Sequence, residues 1–379
     1  MKILITGGHL TPALAFIDYL QTTQKNVKIV FVGREFAREK DKQPAREREA
    51  VESRGIKFVP IQAAKFQTGA WVKNLLQLPL FFASFFSALR ILSQQQPDVF
   101  LSFGGYLSLP MGLASWIVNK PIVVHEQTRA VGLSNQLVGQ LAKKVAISFT
   151  DSQPYFPTQK TVLTGNLLRQ QLTSKNQPKP AWLTSSSELP ILYITGGSQG
   201  SEVINSILSQ TIHKILKDWQ VIHQCGTASQ ERSYLAELEQ QRAHLSANLK
   251  SRYAIREWVT EQELAWIYQH AAAAVSRAGA NTILELTYSR LPAILIPLPF
   301  SRNQEQLKNA ENLANSGGAI VIAQSHLTPN SLLEALHTIR TKNQAHRRKL
   351  ESVHYLKDAD KKLFDLIKKL LPAQREKKS

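Results

Sequence analysis

Short apolar runs recur along the chain, separated by polar, glycine-rich turns. Ile3 to Thr6, Val27 to Val32, Asp98 to Ser102, Ile122 to Val124, Ala146 to Phe149 and Val162 to Thr164 each read as a strand. Continuous apolar stretches, not alternating ones, mark parallel strands covered by helices on both faces. Helical spacing fills the gaps, as in Ala13 to Leu20 after Pro12, a residue suited to an early helical position. The pattern lapses in a Gln, Ser, Lys and Pro stretch through Ser187, which reads as a linker. It then restarts with Ile191 to Thr195, Val221 to Gln224, Ala254 to Val259, a run from Ala274, Ala293 to Leu298 and Ala319 to Ala323. Each half opens with strand, glycine turn and helix. The predicted fold class is therefore α/β, two doubly wound Rossmann-like domains facing a cleft. The expected domains are 1–168, 169–355, and a helix and tail over 356–379 that could pack back on the first domain.

The stretch from Ala274 to Ala310 concentrates the candidate chemistry. A helix that starts directly after the turn Arg277-Ala278-Gly279-Ala280-Asn281 aims its free N–H groups at an anion. A carboxylate near its first turn, Glu285, could accept two hydroxyl protons from a ribose. The plainer reading is a routine βαβ unit with Glu285 facing solvent. Gly196-Gly197-Ser198-Gln199-Gly200-Ser201 has the logic of a phosphate cradle, yet it lacks a P-loop lysine and is not GxGxxG. His9, after Thr6-Gly7-Gly8, sits at a strand-to-helix junction, either as a structural histidine or as a general base. Phe103-Gly104-Gly105-Tyr106 permits close ligand approach or simply a turn with positive φ. His125-Glu126-Gln127-Thr128 offers substrate hydrogen bonds or a capped helix start.

Two other segments resist this scheme. Arg34 to Arg54 alternates charges without an apolar face and reads as an exposed loop or solvated helix. Ala70 to Leu92 is rich in Leu and Phe, interrupted by Pro79 and flanked by Lys65, Lys73 and Arg90. It reads as a buried helix pair kinked at the proline, with an edge that could dip into an anionic membrane surface.

Composition narrows these readings. A length of 379 residues, 43% hydrophobic and 20% charged, suits two globular domains. A lone cysteine, Cys225, excludes an internal disulfide and a thiolate cluster. No signal peptide and no membrane span are expected. The net charge of +18 favours an anionic partner: nucleic acid, a phosphorylated substrate or a membrane face.

Taken in order, Thr6-Gly7-Gly8-His9 with Pro12-Ala13-Leu14-Ala15, Phe103-Gly104-Gly105-Tyr106, His125-Glu126-Gln127, Gly165-Asn166 with Arg169, Gly196 to Gly200 and Gln306 to Ala310 resemble the MurG family of peptidoglycan glycosyltransferases, from Ile3 to about Ile322. The resemblance implies a GT-B fold and inverting transfer of N-acetylglucosamine from UDP-GlcNAc to lipid I. No obligatory metal, no cofactor and no nucleic-acid partner are implied. The partners would be UDP-GlcNAc, lipid I and the anionic cytoplasmic face of the bacterial inner membrane, where the protein would be peripheral.

The same resemblance assigns roles. His9 becomes the catalytic base. Thr6, Gly7, Gly8, Gly104, Gly105 and Tyr106 form the acceptor and diphosphate loops. The donor falls to Arg169, Gly197, Ser198, Gln199, Gly200, Val259 through its backbone, Ala280, Asn281, Thr282, Ile283, Leu284, Glu285 on the ribose, Gln306 on the sugar, and Thr128. The first loop is shorter than the family's usual one, and Thr128 stands where the family usually has asparagine. A UDP-GlcNAc 2-epimerase, a transferase with another lipid-linked acceptor, and a non-catalytic nucleotide-sugar or membrane-surface binder remain as alternatives.

Overall fold

The computed structural model describes residues 1–38, 41–44, 46–64, 75–174, 176–185, 187–197, 199–227 and 233–371. Its contacts divide the chain into two units, Met1–Arg169 joined by the segment from Leu356, and Gln170–Tyr355.

Unit 1 holds strands β1 (Lys2–Thr6), β2 (Lys28–Gly33), β3 (Phe36–Arg38), β4 (Asp41–Pro44), β5 (Lys57–Pro60), β6 (Val99–Ser102), β7 (Ile122–Glu126), β8 (Lys144–Ile147) and β9 (Thr161–Leu163). Seven of them form one parallel sheet in the order β5-β2-β1-β6-β7-β8-β9, while β3 and β4 pair separately and antiparallel. Ile3, Leu4 and Ile5 are all fully buried because successive side chains enter opposite cores. One core packs Ile3, Ile5, Phe31 and Leu101 on Phe16 and Ile17 of the Leu10–Thr23 helix and on Leu363, Phe364 and Ile367 of the Ala359–Lys368 helix. The other packs Leu4, Val30, Phe100 and Val124 on Leu92 of the Leu78–Gln95 helix and Met111 of the Ser108–Ile117 helix.

Unit 2 holds β10 (Ile191–Thr195), β11 (Gln220–Gln224), β12 (Tyr253–Arg256), β13 (Ala271–Ser276), β14 (Ala293–Leu295) and β15 (Ala319–Val321). They form a parallel sheet in the order β12-β11-β10-β13-β14-β15. Leu192, Ile194, Val221 and Val275 pack on Ile204 and Leu208 of the Glu202–Ile215 helix and on Leu336 and Ile339 of the Pro329–Thr341 helix. Taken by their place along the chain, the strands run 3-2-1-4-5-6 in unit 2 and 3-2-1-4-5-6-7 in unit 1, the doubly wound Rossmann order with one further edge strand.

Two local readings change. Pro79 lies in the first turn of the Leu78–Gln95 helix and starts it, since the N–H that proline lacks has no intrahelical partner there. It does not kink a helix pair, and Lys65, Ala70 and Lys73 lie outside the described residues. The charged stretch after Arg34 also contributes to the core: Val51 of the Arg46–Glu52 helix is fully buried, and Glu47 beside it is 8% exposed. The Arg34 N–H donates to Glu47 Oε1 at 3.0 Å, and burial pushes the Glu47 carboxyl up to about 7.

Candidate active site

In a doubly wound sheet, ligands bind beyond the carboxyl ends of the strands where the order reverses. That point falls between β1 and β6 in unit 1 and between β10 and β13 in unit 2. The strand ends there are paired hydroxyl residues, Thr6 with Ser102 and Thr195 with Ser276. Two of these hydroxyls accept the N–H of the glycine two positions on, Gly104 to Ser102 at 3.1 Å and Gly197 to Thr195 at 3.0 Å.

In unit 1 the two loops touch through their backbones. The Gly8 N–H donates to Gly104 O at 3.1 Å and the His9 N–H to Phe103 O at 3.3 Å. A Cβ on Gly8 would stand 2.2 Å from the Gly105 nitrogen, so the approach requires glycine. A diphosphate beside Gly7 and Gly8 therefore cannot take the Gly8 N–H without breaking this contact.

His9 is the N-cap of the Leu10–Thr23 helix and makes no cap bond with its ring, which is half-buried. Burial lowers its pKa below the ordinary 6.5, against the opposing pull of the Glu126 carboxylate. The unprotonated imidazole needed by a general base is thus the neutral-pH form.

Glu126, at the end of β7, is buried and well held. Its Oε1 accepts the Thr128 N–H at 2.9 Å and hydroxyl at 2.7 Å, and its Oε2 accepts Asn135 Nδ2 at 3.0 Å. Ser102 donates to Asn135 Oδ1 at 3.2 Å, and the Ser108 hydroxyl donates to Gly104 O while standing 3.0 Å from Thr6 Oγ1. This chain of bonds ties the Gly104 turn to the Glu126 carboxylate. The sequence reading missed Ser108 and Asn135; the available signal was a polar residue on the face of the Leu133–Leu141 helix that buries Val138 and Gly139.

Thr128, expected at the donor sugar, belongs to unit 1 and has its hydroxyl proton engaged with Glu126. Arg169 also belongs to unit 1, where its Nη2 donates to Thr11 Oγ1 at 3.4 Å. Tyr106 is half-buried beside Gly105.

In unit 2 the glycine turn closes on itself, Gly200 N–H to Gly197 O at 3.1 Å, and leaves Gly197 and Gln199 exposed. Ser198 lies outside the described residues. Gly200 has φ +78°, and a Cβ there would stand 2.2 Å from Cys225 O. That carbonyl accepts Asn205 Nδ2 at 3.1 Å, and Asn205 Oδ1 lies 3.0 Å from His223 Nε2. His223 must then carry its proton on Nε2 and accept the Tyr253 hydroxyl on Nδ1 at 2.9 Å. Burial holds this imidazole neutral, at about 3.

The second loop of unit 2 is fastened by side chains. Arg277 donates to Ser201 Oγ at 2.7 Å and to Ile296 O at 3.1 Å, with burial lowering its pKa. Gln306 Oε1 accepts the N–H groups of Ala278 at 3.3 Å and Leu298 at 3.0 Å, which directs its Nε2 away from both. Asn309 donates to Ala278 O at 3.2 Å.

Between these ties the Ala280–Tyr288 helix begins after Gly279, which has no side chain to cap it. The N–H groups of the first turn, from Ala280 to Thr282, are ones that the helix itself does not satisfy. Ile283 and Leu284 are half-buried, and Glu285 is buried at 4% exposure. Glu285 sits in the second turn and is turned from solvent, where the plainer reading had it facing solvent. Val259 is buried in the loop before the Glu261–His270 helix. Among the described residues no three His, Cys, Asp or Glu side chains are grouped to hold a metal ion.

Two Rossmann-ordered sheets, each with glycine loops at its switch point, are the architecture of the GT-B class. Residues 6–147 match the glycosyltransferase family 28 N-terminal domain and residues 191–369 its C-terminal domain. The chain is similar to the UDP-N-acetylglucosamine--N-acetylmuramyl-(pentapeptide) pyrophosphoryl-undecaprenol N-acetylglucosamine transferase of Pediococcus pentosaceus, 32% identical over 338 residues and 88% of each chain. It is similar to the crystal structure of Acinetobacter baumannii MurG, with TM-score 0.67 and 25% identity over 97% of this chain and 99% of that one. The UDP-GlcNAc 2-epimerase from Neisseria meningitidis, TM-score 0.65 and 14% identical over 97% and 100%, shares the fold. The chain belongs to glycosyltransferase family 28, in its MurG branch.

Proposed function

We propose that this protein transfers N-acetylglucosamine from UDP-GlcNAc to undecaprenyl-diphosphate-linked MurNAc-pentapeptide, lipid I, and so forms lipid II with inversion at the sugar. One observation carries the reading: the chain matches a transferase of that printed name over 88% of both lengths.

The geometry supplies a mechanism consistent with it. His9 takes the proton of the acceptor hydroxyl, whose oxygen forms a bond to the anomeric carbon as the bond from that carbon to the UDP oxygen breaks. The departing diphosphate gains charge, which the first-turn N–H groups from Ala280 to Thr282 and the turn at Gly197 to Gly200 stabilise. Glu285 accepts the ribose hydroxyl protons, the Val259 backbone meets the uracil, Gln306 Nε2 reaches the sugar, and Arg169 serves the nucleotide.

Lipid I also demands a membrane-facing surface. Leu78, Phe82 and Phe86 recur every fourth residue on one helix and are exposed, with Leu75 and Leu76 before them. Trp116, Ile117 and Val118 are exposed at the end of the helix packed beside it, and Arg90 and Lys120 add positive charge. No described helix is long and apolar enough to cross a membrane. This face would rest on the anionic cytoplasmic leaflet.

The test is radiolabelled UDP-GlcNAc with a short-chain lipid I analogue, with and without chelator. Labelled disaccharide product in both arms is expected. Failure of wild type to transfer, or epimerisation of free UDP-GlcNAc without acceptor, overturns the reading; loss on chelation overturns its metal-free step.

A further inference from the structure

Three buried polar atoms on residues at the carboxyl ends of β7 and β8 have no hydrogen-bond partner among the described residues: His125 Nδ1, Gln127 Oε1 and Ser148 Oγ. The three residues are 1%, 7% and 7% exposed. The strand register brings them side by side. His125 pairs with Ala146 and Glu126 with Ile147, and the Ser148 N–H donates to Glu126 O at 2.9 Å, so Ser148 falls opposite Gln127. Side chains of parallel partners share a face, and alternation puts His125, Gln127 and Ser148 on the face of Val123 and Ala146. Both of those residues belong to the core that includes the Leu10–Thr23 helix. Glu126 and its bonded partners occupy the other face. His125 stands 5.3 Å, ring to ring, from Phe103, whose carbonyl holds the His9 N–H.

Buried polar groups without partners destabilise a fold, and three at one sheet end concentrate that cost where a ligand could offset it. Their chemistry defines the ligand. His125 is neutral, held at about 4 by burial, and its Nε2 faces Gly165 O at 3.3 Å as donor. Its Nδ1 therefore offers a lone pair. Gln127 Oε1 offers another, and Ser148 adds a hydroxyl that can give or take. The set asks for donors and carries no positive charge, so it does not suit a phosphate.

Resting on the function proposed above, we infer that His125, Gln127 and Ser148 form a subsite of unit 1 for the neutral glycopeptide part of the acceptor, accepting hydroxyl or amide protons next to the reacting hydroxyl. Ser148 and Gln127 act as specificity residues for the acceptor and leave the donor untouched.

The experiment compares wild type with Ser148→Ala and Gln127→Leu by steady-state kinetics on the lipid I analogue and UDP-GlcNAc, and by thermal unfolding without substrate. Each variant should raise the acceptor KM about tenfold, leave the UDP-GlcNAc KM within twofold, and leave Tm unchanged or higher, since removing an unpaired buried polar group relieves the fold. An unchanged acceptor KM, or a Tm that falls in both variants, overturns the inference and assigns the atoms to bound water. Absence of transfer by wild type instead defeats the functional reading on which it rests.

Discussion

The two switch points are built from one plan and finished differently. Each has a hydroxyl-ended strand, a glycine turn and a second loop from the neighbouring strand. In unit 1 the loops are locked backbone to backbone, Gly8 to Gly104 and His9 to Phe103, which commits N–H groups and projects a histidine. In unit 2 they are tied by side chains, Arg277 to Ser201 and Gln306 to Ala278, which leaves the helix end at Ala280 open. The first arrangement suits taking a proton from a hydroxyl; the second suits receiving negative charge. Which groups hold a loop in place decides which groups remain to face a ligand.

Removing the imidazole tests this contrast most severely. His9→Ala should lower kcat by about 10² to 10⁴ while UDP-GlcNAc binding by calorimetry stays unchanged; full turnover would remove His9 as base. The kcat/KM of wild type should fall on the acid side along a limb below pH 6.5, because burial lowers the His9 pKa.

The glycines separate the units next. Gly8→Ala forces a Cβ against the Gly105 backbone, and Gly200→Ala forces one against Cys225 O. Each should destabilise its own unit by about 3 kcal/mol. Gly8→Ala should abolish transfer yet keep donor binding, whereas Gly200→Ala should weaken donor binding about tenfold or more. The reverse pattern would exchange the roles assigned to the two units.

Arg277→Met should have a smaller effect, raising the UDP-GlcNAc KM about tenfold by freeing the second loop, with little change in kcat. A drop in kcat alone would place Arg277 in the chemistry and not in the fastening.

Acid should distinguish the units most gently. His223 in unit 2 is neutral in the fold at about 3 but ordinary near 6.5 when unfolded, so the unfolded chain binds the extra proton. Its contribution is lost as pH falls below 6.5. Unit 1 has the same liability at His125, at about 4, and at His9, which burial also lowers, but these are offset by Glu47 and Asp360, which burial raises to about 7. Those carboxyls bind protons in the fold first, so they add stability as pH falls from 7 toward their unfolded values. Hydrogen exchange between pH 7 and 5 should loosen β10 and β11 more than β1 and β6; equal loosening would contradict this balance.

Much of the plan was legible in the sequence because parallel strands buried on both faces leave uninterrupted apolar runs, each followed by its turn. The residues at the switch points could be found for the same reason. Their partners could not: whether Thr128 faces a sugar or Glu126, and whether the Gly8 N–H is open, depends on what the adjacent strand brings alongside. Glu285 was seen, but its depth was not, because the helix starts only at Ala280. Pro79 was misread since helix-starting and helix-kinking prolines look alike until the flanking turns are placed. Ser148 carried no local signal at all; only its register opposite Gln127 gives it meaning.

The return of the chain to unit 1 bears on the order of assembly during synthesis. Unit 2 is continuous, with its last strand complete at Val321 and its helices by Glu351. Unit 1 starts first, yet its core lacks Leu363, Phe364 and Ile367 until the Ala359–Lys368 helix has been made. A ribosome delivering residues in sequence therefore supplies everything the inserted unit needs before the enclosing one can close. Until then, apolar surface around Phe16 and Ile17 lacks the helix that completes its core, and a chain arrested before Ala359 would leave that surface open to chaperones or to aggregation.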